Sequence, residues 1–490
     1  MHLNKLSIRD AISGLKMGNF SALELVQAHI DQMIKHRSLN AYITESFDFA
    51  LQEAKMADTR IRSGNARSLE GIPISFKDNF CTKGVRTTCA SKMLEHFIPP
   101  YESKVVTNLK DQGAISLGKT NMDEFAMGSS NITSHFGPVI NPWQNECNSS
   151  SILVPGGSSG GSAASVAAYM AMASLGTDTG GSVRQPAAFN GVVGIKPTYG
   201  RASRWGIVPF ASSLDQAGVL GRSVWDVALI LSEMMGFDPQ DSTSYNAPTE
   251  DLSSETEKSV KGLKIGIPTH LMNGDISLEM KQIWQNAIEI FKSEGAFLHE
   301  ITIPYFEQAL PVYYVIACSE ASSNLAMYDG VRYGHRSSAY NSFEEMVLST
   351  RSEGFGDEVQ RRILIGTYFL SSGFMDQYYV KAQKIRNLIC KGFNKIFDSV
   401  DAILLPSAPT PAFFADEITD NPVDMYKNDI FTVLANLAKL PAISVPSGLS
   451  SNGLPFGMQL MGRMYDEKTV IRFASVLEKN INIKFEPKGY

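Results

Sequence analysis

Two serines set among glycines, 24 residues apart, are the side chains of this sequence best placed for covalent chemistry. Ser158 lies in Val154-Pro-Gly-Gly-Ser-Ser-Gly-Gly-Ser162, and Ser182 lies in Asp178-Thr-Gly-Gly-Ser-Val-Arg-Gln-Pro186. Glycine is used where the backbone needs unusual dihedrals or where another group must approach closely. Consecutive unhindered N–H groups before Ser182 could bind the oxyanion that forms when that serine attacks a carbonyl. A serine nucleophile needs a base. Of the eight histidines only His135 is near this stretch, in an ordinary loop. The alternative base is a lysine kept neutral by burial. Lys77 fits, because it ends the apolar run Ile72-Pro-Ile-Ser-Phe76; Ser158 could relay the proton between Lys77 and Ser182.

Composition alone gives blander readings. A Gly/Ser run is a flexible loop, and a lysine after a strand is a surface residue. Asp178 and Arg184 read as loop-shaping residues rather than acid and base. The phosphate-loop and dinucleotide glycine patterns are absent. The residues by themselves thus point to a serine amidase or esterase.

The elements around these loops read as follows. Residues 5 to about 64 are helical, with Ser21-Ala-Leu-Glu24 a capping box. The small apolar run between the two serines reads as about four turns of helix. Strands are expected at 71–77, 114–118, 191–197, 263–267, 297–303, 402–405, 442–445 and 456–460. Helices are expected at 104–112, 224–235 and 278–293 and through most of 313–397. Such alternation favours an α/β fold with one large, mixed sheet. Residues 1–64 are expected to be packing helices and 65–490 one large catalytic domain. The polar stretch 238–260 is expected to be a surface excursion whose charges form a solvated face.

With 490 residues, the chain is long enough for a large core. Net charge is −6, from 44 basic and 50 acidic residues, which excludes a surface that binds nucleic acid by charge alone. The five cysteines, Cys81, Cys89, Cys147, Cys318 and Cys390, have no C-x-x-C spacing. They read as free thiols of a reducing cytosol. The start of the chain has no apolar signal core and no run is long enough to span a bilayer, so the expected location is cytoplasmic.

The paired loops and the upstream Lys77 resemble the amidase signature family. The resemblance implies an α/β/α sandwich around a large mixed β-sheet and a Ser–cisSer–Lys triad. Ser182 would be the nucleophile; Ser158, after a cis peptide, the bridge; Lys77 the base. The N–H groups of Thr179, Gly180, Gly181 and Ser182 would form the oxyanion hole, and Met127, Gly128 and Ser129 would border the substrate. Further motifs, including Met122-Asp-Glu-Phe-Ala-Met-Gly-Ser-Ser-Asn131, Phe210-Ala-Ser-Ser-Leu-Asp-Gln-Ala-Gly218, Arg361-Arg-Ile363 and Met425-Tyr-Lys-Asn-Asp-Ile430, are similar to one branch of that family. The branch comprises the glutaminase (A) subunits of tRNA-dependent amidotransferases, and the similarity spans about residues 5–485.

This narrower resemblance implies glutamine as substrate. Arg362, or its neighbour Arg361, would hold the α-carboxylate and Asp429 the α-amine, with Tyr313 lining the pocket. It also implies a B subunit (a kinase and transamidase) that uses ATP and magnesium, and a small C subunit. Glu-tRNA(Gln) would be reached through the complex; Asp-tRNA(Asn) is the acceptor of a related complex. No cofactor or metal is expected in this chain. The rival readings are a free-standing amidase acting on a small amide and a non-enzymatic scaffold.

Overall fold

The computed structural model describes residues 2–490 except 147–149, 275 and 419–420. Eleven strands among the described residues join in one mixed sheet. They are β1 (Tyr42–Glu45), β2 (Pro73–Lys77), β3 (Ile115–Thr120), β4 (Ala173–Asp178), β5 (Val193–Lys196), β6 (Gln216–Gly221), β7 (Lys264–Ile267), β8 (Phe297–Glu300), β9 (Ala402–Pro406), β10 (Ala442–Leu449) and β11 (Pro455–Gly462). Their spatial order is β1-β3-β2-β4-β6-β5-β10-β11-β9-β7-β8. β2 runs parallel to both β3 and β4, whereas β4 is antiparallel to β6, and β10 to β5 and β11.

Successive side chains of a strand point to opposite faces. In β2, β3, β4, β5, β6, β9 and β11 every residue is buried, so both faces of the sheet are covered. β8 at one edge is largely exposed. The N-terminal helices Ile8–Met17 and Ala22–Lys35 contribute Ile8, Leu15, Leu25 and Ile30 to the same core as the strands. Ser21 and Glu24 form the expected capping box.

Three expectations change. The segment 5–64 is not all helix: Tyr42–Glu45 adds an edge strand beside β3. Four residues are too few for periodicity to separate strand from helix, and pairing with β3 decides the outcome. The run between the serines is not one helix either. The helix Gly160–Ala167 ends where Tyr169 takes a left-handed conformation (φ 57°) and Met170 N–H donates to Ser165 O at 2.8 Å. The chain then enters β4. Small apolar residues satisfy a buried helix and a buried strand equally, so composition does not divide them. Finally, Asp238, Asp241 and Glu255 in 238–260 are buried, not solvated. They bind the Ser203 hydroxyl, Arg204 and Arg472 respectively. Cys147 lies outside the described residues; Cys81, Cys89, Cys318 and Cys390 are free thiols.

The helix Gly160–Ala167 lies close against its neighbours. A Cβ on Gly161 would sit 2.4 Å from Asn121 O and 2.6 Å from Ala41 O, both main-chain atoms that cannot rotate away. Gly161→Val is therefore expected to lower stability by about 2–3 kcal/mol, the usual cost of overpacking a filled core. A urea titration measures it; an unchanged midpoint would mean that the helix can shift freely.

Candidate active site

β2 and β4 are parallel neighbours, so their carboxyl ends open on the same side of the sheet. That is the edge at which open α/β sheets place their ligands. Lys77 is the last residue of β2. Ser182 lies four residues beyond the end of β4, and Ser158 stands just before the helix that leads into β4. The topology thus brings Ser158 onto Lys77 and sets the Ser182 main chain beside Ser159, whose N–H donates to Ser182 O at 3.2 Å.

Lys77 Nζ is 2.7 Å from Ser158 Oγ, 3.0 Å from Ser159 Oγ and 3.4 Å from Thr177 O. The peptide before Ser158 is cis. Lys77 and Ser158 are fully buried, whereas Ser182 retains 8% exposure, so the Ser182 hydroxyl is the outermost of the three. Burial pulls the Lys77 ammonium down to about 7, against the opposing pull of Asp123, Asp178 and Asp215. A neutral amine has two N–H groups and one lone pair. Ser159 Oγ donates its own proton to Thr177 O at 3.3 Å, so its lone pairs face Nζ. Ser159 Oγ and Thr177 O then take the two N–H groups, and the amine lone pair is left facing the Ser158 hydroxyl. That is the arrangement a base requires.

The loop carrying Ser182 is held by a buried ion pair. Arg184 donates to Asp178 through Nε at 3.0 Å and Nη2 at 2.8 Å. It also donates to Thr432 O, Gln459 Oε1 and Asn436 Oδ1. Burial alone would raise the Asp178 carboxyl, but the Arg184 guanidinium outweighs it and brings it down to about 2. Asp178 Oδ1 also accepts Gly181 N–H at 2.9 Å. Gly181 is thereby removed from the four expected oxyanion donors. The Thr179, Gly180 and Ser182 N–H groups donate to no acceptor among the described residues. Gly180 must be glycine: a Cβ there would lie 2.5 Å from the Tyr313 hydroxyl. Thr179 Oγ1 donates to Asp215, whose carboxyl is raised to about 6 by burial.

A cavity of about 450 Å³ is lined by Gly128, Ser129, Arg361 and Arg362 among others. Arg362 comes from the helix Asp357–Leu370 and is 3% exposed. The Arg361 side chain is 44% exposed, which leaves Arg362 as the inner of the pair. Arg362 Nε donates to Glu358 at 2.7 Å, and its two terminal nitrogens donate to no acceptor among the described residues. Asp429 is buried and accepts from the Ser129 hydroxyl at 2.9 Å and the Tyr314 hydroxyl at 3.1 Å. Burial raises its carboxyl to about 7, and those two hydrogen bonds oppose the rise. Tyr313 and Met127 are buried and do not line this cavity. Among the described residues, no cluster of three or more His, Cys, Asp or Glu side chains could hold a metal ion.

Sequence reasoning missed several of these partners. Ser159 could have been found as the second serine of its loop. Asp123, buried with Asn131 N–H at 2.9 Å, and Glu358, Tyr314, Tyr426 and Thr432 carry no local pattern that marks them.

The Amidase family model matches residues 24–471. The chain belongs to the amidase family. Within that family it is 56% identical to the glutamyl-tRNA(Gln) amidotransferase A subunit of Rickettsia bellii (strain RML369-C), covering 100% of this chain and 99% of that one. It is 55% identical to the protein of the same description from Orientia tsutsugamushi (strain Ikeda), covering all of both. The crystal structure of the glutamyl-tRNA(Gln) amidotransferase A subunit from Thermotoga maritima superposes with a TM-score of 0.80. It is 39% identical and covers 98% of this chain and 96% of that one. The eleven-stranded mixed sheet is thus the amidase fold. No helix among the described residues is long and apolar enough to cross a membrane.

Two outcomes follow for an amidase built this way. Replacing Arg184 by Met strands the Asp178 charge in the interior and should cost about 3–5 kcal/mol in a urea titration; a loss under about 1 kcal/mol would show that the pair does not hold the loop. A base must be unprotonated to work, and Lys77 gains its proton as pH falls through about 7. With an uncharged amide as substrate, kcat/KM should therefore fall about tenfold per pH unit below that point. A flat profile from about pH 5.5 to 8 would remove Lys77 as the base.

Proposed function

We propose that this chain is the glutamine-hydrolysing subunit of a tRNA-dependent amidotransferase. The observation that carries the reading is identity of 54–56% to A subunits over the whole length, together with a buried lysine on a serine pair and a cavity bearing a buried arginine. An amidase and a peptide amidase of known structure share the fold, but at 27% and 26% identity.

Ser182 Oγ attacks the side-chain amide carbon of glutamine. Its proton passes to Ser158, and the Ser158 proton passes to Lys77 Nζ. The oxyanion is met by the Gly180 and Ser182 N–H groups, with Thr179 beside them. Lys77 returns the proton through Ser158 to the departing nitrogen, and ammonia leaves. Water then attacks the glutamyl ester by the same relay, giving glutamate and free Ser182. Arg362 receives the α-carboxylate on its two terminal nitrogens, where a bidentate contact fixes orientation as well as affinity. Asp429, held by Ser129 and Tyr314, receives the α-ammonium. Gly128 and Ser129 border the substrate; Met127 and Tyr313 pack behind it.

The ammonia is used by a B subunit that activates Glu-tRNA(Gln) with ATP and magnesium, in a cytoplasmic complex completed by a small C subunit. ATP and magnesium belong to the B subunit, with no cofactor in this chain. The N-terminal helices of residues 1–64 and the remainder act as one catalytic body.

Ammonia release from L-glutamine tests the reading. It should depend on Ser182, fall at least about a thousandfold in Ser182→Ala, and rise when partner subunits, ATP and Glu-tRNA(Gln) are present. Arg362→Ala should raise KM for glutamine about a hundredfold while changing hydrolysis of an uncharged amide less than about threefold. Release from simple amides but not from glutamine, indifferent to partners, would identify a free-standing amidase instead.

A further inference from the structure

Glu358 belongs to no part of the reaction described above, yet three groups of the cavity wall converge on it. Its Oε1 accepts Arg362 Nε at 2.7 Å and the Tyr426 hydroxyl at 3.0 Å, and its Oε2 accepts from Arg361. Glu358 and Arg362 stand one turn apart on the helix Asp357–Leu370, the spacing at which side chains meet. Glu358 sits in the first turn of that helix, where a negative charge is favoured.

The contact is selective. Glu358 takes only Nε of Arg362, so the guanidinium is oriented while both terminal nitrogens stay free; one carboxylate shared by two arginines leaves the pair with a net positive charge. The rings of Phe210, Tyr314 and Tyr426 lie 5.3–5.6 Å from the guanidinium carbon and restrict it from the sides. Tyr426 stacks on Tyr314 with centroids 4.0 Å apart. Tyr314 donates to Asp429, which also binds Ser129. An unbroken chain of contacts therefore runs from Glu358 through the two tyrosines to Asp429.

We propose that Glu358 is the positioning residue for Arg362. Through Tyr426 and Tyr314 it also fixes the separation of Arg362 from Asp429, so that the two groups meeting the charged ends of an α-amino acid move as one unit. The inference rests on the glutamine reading of this cavity, and it makes substrate selectivity depend on a side chain that acts through Arg362.

The test uses the full chain with its partner subunits and follows glutamine beside an uncharged amide. Glu358→Gln keeps the shape and an acceptor but removes the charge. It should raise KM for glutamine about tenfold with kcat within about threefold, and leave the uncharged amide within about twofold. Tyr426→Phe keeps the stack and loses only the hydroxyl anchor; it should raise the same KM about threefold. Glu358→Gln added to Arg362→Ala should cause no further loss, because the group it positions is gone. A purely helix-stabilising Glu358 would lower the melting temperature and leave the KM for glutamine unchanged. If Arg362→Ala raises that KM and Glu358→Gln does not, the positioning role is overturned and the pocket stands. If neither variant changes it, the glutamine pocket is overturned and the positioning role with it.

Discussion

An amine without a counter-charge is the constraint around which this molecule is arranged. Lys77 ends a strand buried on both faces, and among the described residues no carboxylate stands within ion-pair distance of it. In water the amine would be protonated at neutral pH. Inside the sheet the charged form loses its hydration and gains no paired carboxylate, so the neutral form is held near physiological pH. Every feature that keeps water away serves that state: covered strands, helices packed on glycine and alanine, and the three neighbours that occupy the nitrogen. The neutral amine is made by the fold rather than by a neighbouring group.

A second buried cation a short distance away shows the opposite treatment. Arg184 is as deeply buried as Lys77, yet it has a carboxylate and three further acceptors. It stays charged and structural, and it ties the loop of Ser182 to the C-terminal segment around Thr432 and Asn436. Thr432 reinforces the tie by donating to Gly180 O at 2.6 Å. One site therefore contains a cation without a paired carboxylate and a cation that has one. A paired carboxylate and the stronger basicity of a guanidinium keep Arg184 charged, whereas Lys77 has neither and is held near neutrality.

How much of this could be read from the sequence follows the range of the interactions. The triad was legible because its residues stand beside glycines and at a strand end, where local chemistry leaves a pattern. The α/β class and most strands were legible because buried strands are continuous apolar runs. The division of Ala163–Leu175 into helix and strand was not, since small apolar residues suit both and the decision lies in pairing with β2 and β6. Arg362 and Asp429 came only through resemblance. Glu358, Tyr314 and Tyr426 were invisible because their meaning arises from contacts between distant parts of the chain. Tyr426 and Glu358 are 68 residues apart, and Tyr314 and Asp429 are 115 apart. Gly181 illustrates the converse: its position suggested an oxyanion donor, and only the fold reveals that Asp178 already holds its N–H.

The short segment from Asp429 to Thr432 has a bearing on which amino acids the site can distinguish. The Thr432 hydroxyl lies on Gly180 O and on Asp429 O at 3.1 Å, so the main chain at Asp429 and the Gly180 loop are pinned to each other by one side chain. On the proposed roles, the gap between them is a fixed gauge for side-chain length. Glutamine spans it; asparagine, one methylene shorter, brings its amide carbon about 1.5 Å short of the serine. Discrimination between the two amides then requires no dedicated contact with the extra methylene, because a rigid frame does the measuring.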